Sequence, residues 1–284
     1  MNRVYRVAGH RFMVQGDVLC DMTGSIAGFA PFEVEYQGGD VLFSFASGTI
    51  PPHITTVQYE FTYEDVKGTF GRADDGYILI LKPCEEQALY MWTPDGEDTV
   101  YICGNMSVRL FRFAMWVGFG LMTLPYDTVG IHSSCIVYKD YAVLFLGESG
   151  TGKSTHTRLW RENIEGSNLL NDDSPFIRVE EGKVWAYGSP WSGKTPCYKN
   201  ERYELKACVR LSQAPFNKIK KLPVLQAYGA IHPSCPPEFA YDGKLYDHIG
   251  SFVDKLLRGV DFYHLSCLPD RDAAILSHNT IFDE

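Results

Sequence analysis

The sequence predicts an α/β fold in two parts: a β-rich N-terminal domain over residues 1–104, and a mixed-sheet α+β domain over residues 105–284. Three observations point there. Up to Cys103, short runs rich in Val, Phe and Tyr (VLFSF, VQYEFTY, GYILIL, ALYMW, TVYIC) alternate with turn signals such as QGGD, DDG and PDGED. From Ser107 the apolar period lengthens to that of a helix. Further on, GESGTGKST joins an apolar run to a segment able to continue as a helix.

The elements of the second part follow in order. VRLFRFAMWVGFGLM reads as a helix, with Ser107 or Asn105 to cap it and Pro125 beyond its end. Its apolar stretch, residues 111–124, contains Arg112 and is too short to span a bilayer. Two strands, SCIVYK and YAVLFLG, follow around a Lys-Asp turn, and a helix opens at GKST. PFIRV and VWAYG form a hairpin around EEGK. The tail offers a helix (LYDHIGSFVDKLLRGV), a strand (FYHLSCL) and a last helix starting at Asp270, behind Pro269. No internal repeat or low-complexity segment occurs.

Composition narrows the function. With 284 residues, 45% of them apolar, the chain can bury two cores. Acidic residues number 35 against 26 basic ones, and no Lys/Arg run stands out, which argues against nucleic acid or an anionic membrane as partner. The eight cysteines are scattered without a CxxC pair, as expected of reduced, mostly buried thiols in a cytoplasmic protein. The start, MNRVYRVAGHRFMV, carries charges where a secretion signal needs its apolar run.

Residues 147–154 fit GxxxxGK[ST] at every fixed position, behind the buried-strand run YAVLFL and ahead of THTRLW. Backbone N–H groups that wrap a phosphate chain need glycine where a Cβ would collide or φ is positive. The candidate nucleotide-binding residues are therefore Gly147, Ser149, Gly150, Thr151, Gly152, Lys153, Ser154 and Thr155, with the helix start adding unpaired donors and its positive dipole end. Lys153 neutralises the terminal phosphates of ATP, and the Ser154 hydroxyl can hold Mg²⁺. A nucleotide-bound Mg²⁺ also needs a carboxylate at a strand end, and LLNDD supplies Asp172 and Asp173. Adjacent strand residues point to opposite faces, so separate roles suit them better, one for the metal and one for the attacking group. Which does which is left open by the spacing. His132, at the start of the strand that precedes the loop strand, can lie near the same sheet edge.

Residues 130–155, GIHSSCIVYKDYAVLFLGESGTGKST, followed by LLNDD, resemble the HPr kinase/phosphorylase and phosphoenolpyruvate carboxykinase superfamily. In both branches a His begins a strand, a turn leads to an apolar strand, the phosphate loop follows, and paired aspartates close the site. The likeness covers about residues 128–212. It implies an HPr-kinase-like, PEP-carboxykinase-like P-loop domain that uses ATP and Mg²⁺ to transfer a terminal phosphoryl group. It also implies a site histidine at His132, magnesium-side ligands at Ser154 and Asp172, a metal or catalytic carboxylate at Asp173, and a homo-oligomer. GSPWSGKTPCYKNERY resembles a variant in HPr-kinase-related proteins, where Lys194 would place a second cation on the transferring phosphate. The glycine-rich C-terminal signature of HPr kinases is absent, replaced by NERYELKACVRL, in which Arg202 is the arginine nearest to it.

The expectation is an ATP- and Mg²⁺-dependent kinase acting on a hydroxyl of a small molecule or of a protein or peptide serine, with Asp173, His132, Lys153 and Lys194 as its catalytic residues. The alternative is a nucleotide-responsive regulatory or binding protein with little turnover. A third reading is a phosphorolytic or pyrophosphate-using enzyme on the same site.

Overall fold

The computed structural model describes residues 1–36, 38–193 and 195–283. It divides into two compact units, Met1–Pro125 with Pro237–Asp247, and Tyr126–Pro236 with the chain from His248 on. Each carries a large sheet of mixed strand direction with helices packed on it, a mixed α/β architecture.

The first unit opens with a hairpin of β1 (Asn2–Val7) and β2 (His10–Gln15), then α1 (Asp17–Ser25), β3 (Glu33–Val34) and β4 (Phe43–Ser47). A meander of β5 (Ile54–Tyr63), β6 (Val66–Ala73), β7 (Gly76–Pro83), β8 (Leu89–Pro94) and β9 (Thr99–Gly104) follows, and α2 (Val108–Thr123) closes it. Among the described residues the strand order is β3-β1-β2-β4-β9-β8-β7-β6-β5, with β4 parallel to both neighbours. The expected all-β region thus carries a helix at residues 17–25. The expected boundary near residue 104 also falls before α2, a helix that belongs to the first unit. Its Phe119 ring packs 5.6 Å from Phe12 and 6.0 Å from Phe43, so its apolar stripe completes the core of the first sheet. The change of hydrophobic period marks a change of element, while the chain stays in the same core.

The second unit runs through β10 (Thr128–Gly130), β11 (Ser133–Tyr138), β12 (Tyr141–Leu146), α3 (Lys153–Asn163), β13 (Asn168–Asp173), β14 (Phe176–Glu180), β15 (Lys183–Tyr187), β16 (Arg202–Gln213), β17 (Lys218–Lys221) and α4 (Val224–Ile231). After a helix α5 (Gly243–Gly259), which begins in the first unit's segment, come β18 (Asp261–Cys267) and α6 (Arg271–Phe282). The strand order is β10-β14-β15-β16-β12-β11-β13. The long strand β16 pairs β15 through its first residues and β18 through its last, and β17 pairs β18.

Local chemistry accounts for these elements. Lys139 and Asp140 both have positive φ (46° and 66°), the two-residue geometry that suits a tight hairpin between β11 and β12. In β12 every residue after Tyr141 is buried, because helices and neighbouring strands enclose it. Asp270 caps α6 by accepting a hydrogen bond from the Ala273 amide. Under α3, Phe145, Trp160, Val209, Leu265 and Ala274 form one apolar cluster. At its centre the Ser277 hydroxyl donates to the Ala274 carbonyl and accepts from Trp160 Nε1 (2.9 Å) and His156 Nε2 (3.0 Å). That arrangement places the His156 proton on Nε2. Burial lowers the His156 pKa to about 4, so the ring is neutral.

Candidate phosphate-binding site

Strand pairing brings the candidate residues to one sheet edge. Ser133 of β11 lies opposite Leu146 of β12 on one side and opposite Asp173 of β13 on the other. The end of the loop strand, the start of the histidine strand and the paired aspartates are therefore level. Ser134, Phe145 and Asp172 form the next row. Phe145 packs on Trp160 of α3, and the Ser134 hydroxyl contacts Thr157 Oγ1 at 3.1 Å, so this row faces α3.

The loop itself has the backbone that its glycines predict. Gly150 and Gly152 have φ of 83° and 104°, with open space where a Cβ would project. A Cβ on Gly147 would collide with the Thr151 side chain, whose hydroxyl donates to the Glu148 carbonyl at 2.8 Å and closes the loop tip. The first hydrogen bond of α3 runs from His156 N to Gly152 O, so the amides of Lys153, Ser154 and Thr155 have no partner one turn back. This is the donor set that an anion at a helix start requires.

Lys153 is 9% exposed, and its ammonium donates to the carbonyls of Gly147 (2.8 Å) and Glu148 (3.1 Å). Its third contact is His132 Nε2 at 3.0 Å. A protonated lysine donating to Nε2 leaves the imidazole proton on Nδ1, which lies 3.4 Å from Asp173 Oδ1. Burial lowers the Lys153 pKa, Asp173 and Asp172 oppose the shift, and Arg210 adds to it. Lys153, His132 and Asp173 thus form one chain of polar contacts along the sheet edge.

The two aspartates stand in different surroundings. Asp172 is 4% exposed, and its Oδ1 accepts from Ser134 Oγ at 2.7 Å. Its Oδ2 is buried with no hydrogen-bond partner among the described residues. Asp173 is half-exposed and accepts from Ser174 Oγ at 2.9 Å in addition to facing His132. An orphaned buried carboxylate oxygen is costly unless a cation meets it. Ser154 lies on the same helix surface as Thr157, three residues on, which reaches this row through Ser134. Asp172, through its unpartnered Oδ2, and Ser154 are the residues that could hold a divalent cation. Among the described residues no three His, Cys, Asp or Glu side chains converge on a metal position. A sparse protein shell of this kind suits Mg²⁺ shared with phosphates rather than a closed cage.

Residues outside the loop and the aspartate pair also shape the site. Asn171, fully buried, donates to Ser189 Oγ (3.1 Å) and the Trp191 carbonyl (3.0 Å) and accepts from the Ser174 amide (2.9 Å). Gly193 N donates to the Asp172 carbonyl at 2.8 Å, and Ser192 bridges to Asp173, so the chain around residues 191–193 runs beside the aspartates. Lys194, the expected second cation, lies outside the described residues. Arg210, which sequence reasoning passed over, pairs in register with Leu146, and its Nη2 lies 3.8 Å from Glu148 Oε1 of the loop. Arg202 sits eight residues earlier at the opposite end of β16. It is held there by Glu180 and Tyr187 Oη, both at 3.0 Å.

No protein-family model matches the chain, and no curated protein matches it. Among solved structures it is similar to the Hpr(Ser) kinase/phosphatase from Coxiella burnetii, with 12% identity and a TM-score of 0.32. The match covers 54% of this chain and 94% of that one. An overlap so slight transfers no activity. Among the described residues no helix is long and apolar enough to cross a membrane.

Proposed function

We propose that the protein is an ATP- and Mg²⁺-dependent phosphotransferase that moves the γ-phosphoryl group to a hydroxyl of a small molecule or of a protein serine. The observation that carries this reading is the contact chain Lys153–His132–Asp173 laid beside the orphaned oxygen of Asp172 at the mouth of a glycine loop. An anion-binding loop alone would need neither the histidine nor two carboxylates in unlike surroundings.

In the proposed reaction the amides of Lys153, Ser154 and Thr155 bind the phosphate chain, and Lys153 exchanges the loop carbonyls for terminal phosphate oxygens. Asp172 and Ser154 would hold Mg²⁺, which supplies charge neutralisation on the transferring phosphoryl group when bound. Asp173, oriented by His132, accepts the proton of the acceptor hydroxyl. The hydroxyl oxygen forms the new bond to phosphorus, the bridging P–O bond breaks, and ADP carries away the electron pair. Arg210 adds positive charge beside the loop.

The test is transfer of label from γ-labelled ATP into acceptors of a cell extract, alongside calorimetry with Mg·ATP. Wild-type transfer and its loss in Lys153→Ala are expected. Unchanged turnover in that variant overturns the mechanism, and tight binding without transfer to any acceptor favours a nucleotide-responsive regulator.

A further inference from the structure

A groove of about 540 Å³ opens beside the loop, within the second unit. Gly150–Gly152 and Thr155 wall it on one side, Leu211 and Gln213 at the end of β16 on another, and Cys267 and Leu268 after β18 on a third. We propose that this groove receives the base and ribose of the nucleotide, and so fixes the direction in which the triphosphate crosses the loop. This rests on the phosphotransferase reading above and adds to it the site of the nucleoside.

Three observations support the assignment. The first is topological. In the sheet order, β16 and β18 lie on one side of β12, and β11 and β13 on the other. The groove and the carboxylates therefore flank the loop on opposite sides. The helix repeats this division: Thr155 lines the groove, whereas Thr157, about 200° further round α3, reaches Ser134 beside Asp172. A triphosphate lying across the start of α3 with its terminal phosphate at Lys153 has the groove, lined by Thr155, open to its other end.

The second is chemical. No Asp, Glu, Lys or Arg side chain lines the groove among the described residues, and the histidine that does, His156, is neutral. Leu159, Leu211 and Leu268 supply apolar walls. Such a lining suits a neutral, flat heterocycle and penalises an anionic acceptor. The third is structural coupling. Gln213 Nε2 donates to the Gly150 carbonyl at 3.2 Å, so the groove wall and the loop tip are already tied together. The volume lies inside the range of about 300–1,000 Å³ usual for small-molecule sites.

The experiment compares Mg·ATP with Mg·tripolyphosphate, which has the phosphates and lacks the nucleoside. Ala214→Trp places an indole at the groove rim. It is expected to weaken ATP about tenfold or more while leaving tripolyphosphate within about twofold, and retained tripolyphosphate binding shows that the variant is folded. Independently of any substitution, ATP is expected to slow alkylation of Cys267 about tenfold, read by peptide mass, with exposed Cys84 as internal reference and tripolyphosphate giving no protection. Equal ATP affinity in wild type and Ala214→Trp, or Cys267 alkylation that ATP does not slow, overturns the proposal. If wild-type protein binds neither ATP nor tripolyphosphate, the phosphate-loop reading fails first.

Discussion

The Lys153 ammonium lies 3.0 Å from His132 Nε2, so the cation of the glycine loop and the histidine ahead of β11 act as one unit. Burial lowers the lysine pKa, and a bound polyphosphate raises it by placing anionic oxygens at the same nitrogen. Proton uptake on tripolyphosphate binding is therefore expected on the alkaline side, beginning at a lower pH than for an exposed lysine, because the lowered pKa lets Lys153 lose its charge earlier. Calorimetry in buffers of unlike ionisation enthalpy reads it directly. Lys153→Met is expected to abolish the uptake along with the binding.

Asp172→Asn separates metal binding from folding. The substitution keeps an acceptor for Ser134 Oγ and removes a buried charge whose Oδ2 is unpartnered among the described residues. Thermal stability is expected to hold or rise, whereas the Mg²⁺-dependent part of ATP affinity falls about 100-fold, or ~2.7 kcal/mol. A variant that keeps its magnesium dependence removes Asp172 from the metal site.

Arg210→Gln is expected to weaken tripolyphosphate about tenfold, ~1.4 kcal/mol, by taking a positive charge from beside the loop. It also removes one of the influences that hold the Lys153 pKa down, so the proton uptake described above shifts to higher pH. Arg202→Gln, at the far end of β16, serves as the comparison and leaves binding unchanged.

Asn171→Ala strips three buried hydrogen bonds from the turn that sets the aspartates. Destabilisation of about 2–4 kcal/mol is expected in urea unfolding. A loss under ~0.5 kcal/mol means that the turn is held by other means.

Two buried groups give stability opposite dependences on pH. The His156 pKa is about 4 in the fold against 6.5 for an exposed ring, so the unfolded chain takes up a proton first as pH falls. Its contribution is complete above 6.5 and is lost toward 4, on the order of 3 kcal/mol. Glu238 is raised by burial from 4.5 to about 7, so the folded chain holds its proton longer. Its contribution is complete below 4.5 and is lost as pH rises through 7, again on the order of 3 kcal/mol. Unfolding free energies of His156→Gln and Glu238→Gln between pH 4 and 8 are each expected to remove the corresponding limb.

The second unit was more legible in the sequence than the first. GKST, the Lys-Asp turn, the EEGK hairpin and the cap at Asp270 are local signals, and each falls where its chemistry demands. The helix at residues 17–25 was not seen, because DVLCDMTGS has a short, weak apolar stripe and is held by packing under β2 and β4. In the site, Lys153 and the aspartates were visible as a motif and a doublet. Arg210 was not, since only the parallel register of β16 against β12 brings it level with Leu146. Asn171 was equally hidden, because an asparagine's role depends on partners eighteen and twenty residues later in the chain.

The return of residues 237–247 to the first unit bears on biosynthesis. Neither unit is an uninterrupted stretch of polypeptide, and the first unit, although all its strands lie within residues 2–104, lacks its last segment until the ribosome has read past Asp247, after most of the phosphate-loop strands have emerged. Maturation is therefore interleaved rather than sequential, and cleaving the gene at a single point liberates neither half intact.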